Sequence, residues 1–127
     1  MNTLLTGDDF RTGVSPLTDR TGVVVVCLCA EWCGTCRGYQ EELSRLAGRY
    51  SDFVFVWLDV EDDADIVGDL DIETFPTLMV MQGEDLLFGG ILLPLIQHLD
   101  RLLATLADRS PMPRNEFTPI AERLRRN

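Results

Sequence analysis

Apolar residues run without interruption through the segment GVVVVCLC, which is rich in β-branched side chains and begins at Gly22. A run of this length and composition predicts a strand buried on both faces, over about Val23 to Cys29. The segment DFVFVWLDV predicts a second buried strand on the same grounds. Farther along, ETFPTLMVM and LLFGG flank QGED, which predicts a hairpin with Gly83 at its tip.

Helical periodicity separates these strands. After the first strand, apolar side chains recur every three or four positions between charged ones, which predicts an amphipathic helix beginning near the second half of the cysteine pair, at about Cys36. The segment DDADIVGDLD predicts a short acidic helix, and LPLIQHLDRLLATLA predicts an amphipathic helix with Pro94 in its first turn. The apolar stripe of the first helix consists of Tyr39, Leu43, Leu46 and Tyr50.

The order of these elements predicts an α/β fold with a central mixed sheet flanked by helices. The first two strands should be parallel, because a helix crosses over between them. At the N-terminus, Leu4 and Leu5 are candidates for an edge strand, and Asp8 or Asp9 is a candidate for the cap of a short helix.

The end of the chain differs in composition from the rest. We expect one domain over residues 1–108 and a C-terminal extension over residues 109–127. Because the extension is rich in proline and arginine, it is expected to lie outside the core and to form at most a short helix near Pro119 to Arg125.

Composition narrows the class of protein. The length of 127 residues suits one domain with a substantial core. The net charge of −10 disfavours nucleic acid and anionic membranes as partners, because both bind cationic surfaces. No apolar run is long enough to span a bilayer, and the N-terminal segment MNTLLTGDDF does not resemble a signal peptide. We therefore expect a cytoplasmic protein, in a compartment where disulfides are mostly transient and catalytic.

All four cysteines lie in the segment CLCAEWCGTCRGYQ, and Cys33 and Cys36 form a C-x-x-C motif where the first strand passes into the helix. A thiolate at a helix N-terminus faces unpaired backbone N–H groups and the positive end of the macrodipole, which lower the thiol pKa. This context predicts a redox pair in which Cys33 attacks a disulfide and Cys36 resolves the mixed disulfide. The alternative is a pair of structural thiols.

Cys27 and Cys29 precede the motif on the strand. We expect them to point to opposite faces and to fill the core as small hydrophobic residues. Cys29 is nearer the motif, and a secondary disulfide or an oxidation-sensing role is its alternative. The spacing of the four cysteines also admits a zinc or iron–sulfur site. We do not expect a metal, because cysteines on opposite faces cannot easily join one tetrahedral site.

The segments AEWCGTC and FPT resemble those of the thioredoxin family, and the order of elements over about Val23 to Ala107 is similar as well. The resemblance implies a thioredoxin-like fold, with Cys33 as the nucleophile, Cys36 as the resolving cysteine and a cis-proline at Pro76. It also implies that the backbone around this proline pairs with an extended substrate peptide. The residues that it assigns to substrate binding are Trp32, Gly34, Thr35, Thr74, Phe75, Pro76 and Gly89.

By the same resemblance, the activity is thiol–disulfide exchange with protein substrates, as part of cell redox homeostasis and electron transport. It needs no metal or organic cofactor, and a thioredoxin reductase supplies the electrons. A second hypothesis is a thioredoxin-fold interaction or assembly module whose dithiol is vestigial or redox-sensing. The departures of the chain from the family pattern motivate this second hypothesis.

One departure concerns proton transfer. The family commonly keeps a buried acid on the strand before the motif and pairs it with a lysine of the neighbouring strand, whereas these positions are Cys27 and Trp57 here. We therefore expect Cys36 to be harder to deprotonate unless Glu31, Asp59 or water takes the place of that acid.

Two prolines of the family pattern are also replaced. The proline inside the usual C-G-P-C motif is Thr35, and the proline that kinks the long helix in many members is Glu41. Because the residues between the cysteines tune the thiolate, we expect a couple less reducing than that of thioredoxin, which lies near about −270 mV.

Overall fold

The structure, a computed structural model, describes residues 4–12, 22–30, 32–70 and 72–126. The strands of its sheet are β1 (Leu4–Thr6), β2 (Val23–Cys29), β3 (Val54–Asp59), β4 (Thr77–Gln82) and β5 (Asp85–Ile91). Their order is β1-β3-β2-β4-β5, with the first three parallel and the last two antiparallel to their neighbours. The predicted α/β fold with a mixed sheet is therefore confirmed, as is the parallel pairing of the two buried strands.

Helices cover both faces of this sheet. They are α1 (Gly7–Arg11), α2 (Gly34–Arg49), α3 (Ala64–Val67), α4 (Ile96–Ala104) and α5 (Thr118–Arg126), with a 3-10 turn over Leu106–Asp108. Side chains of α2 and α4 share one core with the sheet, and those of α1, α3 and α5 share the other. The cysteine-bearing strand β2 lies between these two layers.

Two helices are shorter than the sequence predicts. α3 ends at Val67, because Gly68 follows it with a positive φ of 73° that few other residues adopt. α4 begins at Ile96, so Pro94 lies before the helix rather than in its first turn. The delay follows from a tight turn in which the Leu95 N–H donates to the Leu93 carbonyl at 2.7 Å.

The N-terminal edge strand is confirmed, since Leu4–Thr6 pairs in parallel with β3. Neither Asp8 nor Asp9 is the N-cap of α1, because Thr6 holds that position in an extended conformation. Asp9 acts from the third helical position instead, where its carboxylate accepts the Thr6 N–H at 2.7 Å.

The side chains of β2 alternate between the two cores, and the whole strand is buried. Val26 and Leu28 lie in the core under α1, α3 and α5, whereas Cys27 and Cys29 both lie in the core under α2 and α4. The expectation that these cysteines point to opposite faces is wrong, because residues two apart on a strand share a face. The two thiols are neighbours on the side that carries the C-x-x-C motif.

The C-terminal extension is part of the core, contrary to expectation. Its helix α5 agrees with the one anticipated near Pro119 to Arg125, but Ile120 and Leu124 are 1% and 0% exposed against the core under α1 and α3. Ahead of the helix, the Met112 N–H donates to the Leu86 carbonyl at 2.7 Å and ties the extension to β5. The packing follows from an apolar stripe within the polar segment. The division of the chain at residue 108 stays a prediction.

Candidate functional site

The C-x-x-C motif lies at the junction between β2 and α2. Cys33 is the N-cap of the helix and is partly exposed, and its N–H donates to the Ala30 carbonyl at 3.0 Å. Cys36 lies in the first helical turn and is 1% exposed. The strand therefore delivers one cysteine to the surface and one to the interior, in the arrangement that the sequence predicts.

Cys36 is joined by a disulfide to Cys29, the last residue of β2, and their Cα atoms are 5.9 Å apart. This separation lies within the usual range for disulfides. The Ala30 N–H also donates to the Cys36 sulfur, at 3.5 Å. The expectation that Cys29 merely fills the core is wrong, and its alternative, a secondary disulfide, is the one observed. The two-residue period of the strand could have indicated this bond, because it places Cys29 on the face that α2 covers.

Cys33 and Cys27 are not disulfide-bonded; all four cysteines lie in the described ranges. The Cys27 sulfur lies 4.0 Å from the Cys29 sulfur, and complete burial raises the pKa of the Cys27 thiol. The hydroxyl of Tyr39 is buried near it and has no hydrogen-bond partner among the described residues. Burial raises the pKa of this hydroxyl, and the neighbouring Cys27 and Glu42 raise it further. Cys27 is therefore a buried core thiol whose charged form is disfavoured, beside the disulfide of Cys29.

The loop before β4 meets the motif from the other side. The Phe75–Pro76 peptide bond is cis, as the resemblance implies. The Trp32 ring lies 5.6 Å from the Phe75 ring at 82°, and the Trp32 indole N–H donates to Glu61. Trp32 is nevertheless 65% exposed. The two segments that carry the resemblance, distant in sequence, thus form one surface around Cys33.

The remaining predicted binding residues lie at two edges of this surface. Gly34 and Thr35 are exposed in the first turn of α2. Thr74 and Gly89 line a cavity of about 320 Å³ beside the cis-proline loop. A Cβ atom on Gly89 would lie 2.6 Å from the ring of Phe117, so the C-terminal extension packs against this glycine. That contact is absent from the sequence prediction.

A second cavity, of about 330 Å³, lies behind Cys36, and charged side chains of both signs line it. Among them, Arg11 forms ion pairs with Asp8 at 2.7 Å and with Asp63 at 2.8 Å. Hydrogen bonds to these carboxylates raise the pKa of Arg11 above its ordinary value. The interior sulfur of the motif therefore borders a polar space rather than a wholly apolar core.

Asp59 lines the same cavity and lies at the C-terminal end of β3. In the parallel register it is opposite Cys29, as Trp57 is opposite Cys27. Its Oδ1 accepts the backbone N–H of Glu61 at 2.8 Å, which fixes the carboxylate at the edge of the cavity. Glu31, the other acid considered from the sequence, lies outside the described residues.

The described ranges contain no group of three or more histidine, cysteine or acidic side chains arranged to hold a metal ion. A search for membrane spans, over the same ranges, finds no helix with the length and apolar character to cross a bilayer.

Comparisons with known proteins agree on one family. The model of the family described as Thioredoxin matches residues 2–89. Thioredoxin-2 of Saccharomyces cerevisiae is 33% identical over 69 residues, which are 54% of this chain and 66% of that protein. Thioredoxin H2-2 of Oryza sativa subsp. japonica is 31% identical over 61 residues, 48% of this chain and 46% of that protein. The chain thus spans about half to two thirds of the length of these curated relatives.

Solved structures agree with this match. The oxidised form of mitochondrial thioredoxin 3 from Saccharomyces cerevisiae has a TM-score of 0.57 and 25% identity, over 80% of this chain and 91% of that one. The germline-specific thioredoxin Deadhead from Drosophila melanogaster has a TM-score of 0.66 at 20% identity, over 84% and 99% of the two chains. The second likeness concerns the fold alone.

Proposed function

Because the chain belongs to the thioredoxin family, we propose that it is a thiol–disulfide oxidoreductase acting on protein substrates through Cys33 and Cys36. The observation that carries the proposal is the position of Cys33. It caps α2, is partly exposed, and directly follows Trp32, whose ring contacts Phe75 of the cis peptide bond. A sulfur in this position is accessible to a substrate and lies at the positive end of the helix dipole.

The reaction transfers two electrons from the dithiol to the substrate. The Cys33 thiolate attacks one sulfur of a substrate disulfide, so that a mixed disulfide forms and the other substrate sulfur leaves as a thiolate. Cys36, once deprotonated, attacks the Cys33 sulfur and releases the second substrate thiolate. The protein is left with a Cys33–Cys36 disulfide, and the substrate takes up two protons as its thiols form.

Substrate binding falls to the surface around the nucleophile. Trp32 and Phe75 offer an aromatic surface, and the backbone of Thr74–Pro76 is available to pair with an extended peptide. The Thr74 carbonyl already accepts the Thr77 hydroxyl at 2.8 Å, which orients the loop and leaves one lone pair for a substrate N–H. Gly34 and Thr35 keep the approach to Cys33 open, and Gly89 borders the loop on its far side.

Asp59 is the proposed proton acceptor for Cys36. The position that carries an acid in the family is Cys27, and burial raises the pKa of this thiol, which disfavours the thiolate that would have to accept a proton. Asp59 and Cys36 line the same cavity, which has room for water to carry the proton between them. A carboxylate reached through water is a competent general base for a thiol.

The electrons for repeated turnover come, on this proposal, from a thioredoxin reductase, and no bound cofactor takes part. Exchange in the reducing direction requires that Cys33 be kept as a thiol, which favours a reducing compartment such as the cytoplasm. The acidic net charge of −10 fits protein partners better than nucleic acid.

The test is the reduction of insulin by dithiothreitol, followed as turbidity, with the full chain as catalyst. We expect the wild-type chain to accelerate precipitation, Cys33→Ser to abolish the acceleration, and Cys27→Ala to retain it. The Cys27 variant is a matched control, because it removes a thiol of the same segment that takes no part in exchange.

A second function, that of an interaction module with a redox-sensing dithiol, is favoured by the Cys29–Cys36 disulfide, which occupies the resolving cysteine. The insulin assay separates the two hypotheses. Wild-type activity no higher than the dithiothreitol background would remove the enzyme and leave the module.

A further inference from the structure

We propose that Cys29 is a second resolving cysteine. Its sulfur replaces that of Cys33 as the disulfide partner of Cys36, so that the disulfide lies in the protein interior. The proposal rests on the proposed function, because exchange with a substrate supplies the first disulfide, Cys33–Cys36. Transfer to Cys29 then restores Cys33 as a surface thiol while the protein stays oxidised.

The geometry places Cys36 between two partners. On one side it lies three residues after Cys33 in the first turn of α2, the spacing at which a C-x-x-C disulfide closes. On the other side it is bonded to Cys29 at the end of β2. Cys36 is therefore the cysteine that both disulfides require, with one partner at the partly exposed N-cap of α2 and the other on the buried strand.

The two disulfides differ in how accessible their sulfur atoms are to external thiols. Cys33 is partly exposed, whereas Cys29 and Cys36 are 0% and 1% exposed. Because thiol–disulfide exchange requires an in-line approach to a sulfur, a bond between two buried sulfurs is protected from external thiols. The inner disulfide is therefore a resting form that reductants reach slowly.

The transfer is a disulfide isomerisation, which conserves the number of disulfides and therefore needs no oxidant. The Cys29 thiolate attacks the Cys36 sulfur, the Cys33–Cys36 bond breaks as the Cys29–Cys36 bond forms, and Cys33 leaves as a thiolate. One disulfide is present before and after the step. Cys33 leaves as a thiolate at the N-terminus of α2, where the positive end of the helix dipole favours an anion.

The proton of Cys29 has a nearby acceptor. Asp59 is its partner in the register of β2 and β3, and side chains of paired residues on neighbouring strands lie on the same face. Asp59 also lines the cavity that reaches Cys36. The proton passes to this carboxylate and from there, through the cavity, to solvent or to the departing Cys33 thiolate.

Cys27 supplies an internal control. Its sulfur is 4.0 Å from that of Cys29, on the same strand and the same face, yet it is not bonded in the structure. If any buried thiol in this layer could form the disulfide with Cys36, Cys27 and Cys29 would be equivalent partners. Only Cys29, at the end of the strand, is bonded.

The sequence offers a direct way to identify the disulfide. Trypsin releases residues 21–37 as one peptide that contains all four cysteines, and Glu31 is its single acidic residue. Cleavage after Glu31 separates Cys27 and Cys29 from Cys33 and Cys36. A disulfide to Cys29 keeps the two fragments linked, whereas the fragments separate when the disulfide joins Cys33 and Cys36.

The experiment oxidises the reduced full chain with glutathione disulfide, quenches samples with acid and N-ethylmaleimide over time, and analyses the double digest by mass spectrometry. We expect separate fragments first, with the disulfide inside the fragment that carries Cys33 and Cys36. Linked fragments in which Cys33 is alkylated should follow. The linked product should persist in Cys27→Val and disappear in Cys29→Val. Fragments that stay parted in the wild type, or a link that survives in Cys29→Val, would overturn the proposal.

Fragment-ion spectra of the linked wild-type product show whether Cys27 or Cys29 is the alkylated residue, so a folding defect in Cys29→Val leaves the test intact. The insulin assay on the same sample separates the two proposals. If insulin is reduced and the fragments stay parted, the oxidoreductase stands and the transfer is refuted. If the fragments link and insulin is not reduced, the oxidoreductase is refuted and the inner disulfide is supported as a sensor.

Discussion

Replacing Leu124 by alanine tests whether the C-terminal extension belongs to the folded unit. Leu124 is fully buried and packs in the core under α1 and α3. The change removes three methylene-sized groups, which are worth about 2.4 kcal/mol at about 0.8 kcal/mol each. The cavity left behind adds to this, so we expect the free energy of unfolding to fall by about 3 to 4 kcal/mol. A loss of that size is a large fraction of the stability of a small domain, about 5–15 kcal/mol.

The assay is equilibrium unfolding in urea, followed by far-ultraviolet circular dichroism. Leu93→Ala is the matched control, since it deletes the same atoms from a side chain that is 61% exposed, and should cost less than about 0.5 kcal/mol. If Leu124→Ala lowered the stability no more than Leu93→Ala, the extension would not be packed as described.

Three further predictions concern the site itself. Gly89→Ala should destabilise the fold, because its Cβ would lie 2.6 Å from the Phe117 ring; in urea unfolding, Phe117→Ala should cancel that cost, and additive losses would refute the contact. Asp59→Asn should slow the resolution of a Cys33 mixed disulfide by Cys36 about a hundredfold, with the loss shrinking as pH rises and the thiol ionises unaided; an unchanged rate in stopped-flow release would exclude this carboxylate. Thr35→Pro should make the Cys33–Cys36 couple more reducing by about 30 mV, equivalent to about 1.4 kcal/mol, in a glutathione titration. A shift to less negative potential would contradict the argument that the residues between the cysteines tune the thiolate.

The sequence predicts the centre of the fold well because its signals there are local. The apolar run of β2 and the change to helical spacing after Cys33 fix a strand, a turn and a helix without reference to the rest of the chain. The position of the motif follows from these elements. The cis bond before Pro76 comes from the family resemblance, since it does not follow from periodicity, and the contact between Trp32 and Phe75 is seen only in the structure.

The failures have two different causes. The packing of α5 is long-range, and the prolines and arginines of the extension masked a helical stripe formed by Phe117, Ile120, Ala121 and Leu124. The bond between Cys29 and Cys36, by contrast, was open to a correct use of strand geometry. Residues two apart share a face, so Cys29 had to point toward α2 and the first turn that holds Cys36.

The most direct test of the central claim is to trap the nucleophile. Cys36→Ser removes the sulfur that both disulfides need, so a mixed disulfide with one half of an intermolecular peptide disulfide should accumulate, because the other half leaves as a free peptide thiol. Trypsin and cleavage after Glu31 then show which fragment carries the peptide. We predict one adduct, on Cys33, which Cys33→Ala combined with Cys36→Ser abolishes. An adduct on the fragment with Cys27 and Cys29, or no adduct, would contradict the account.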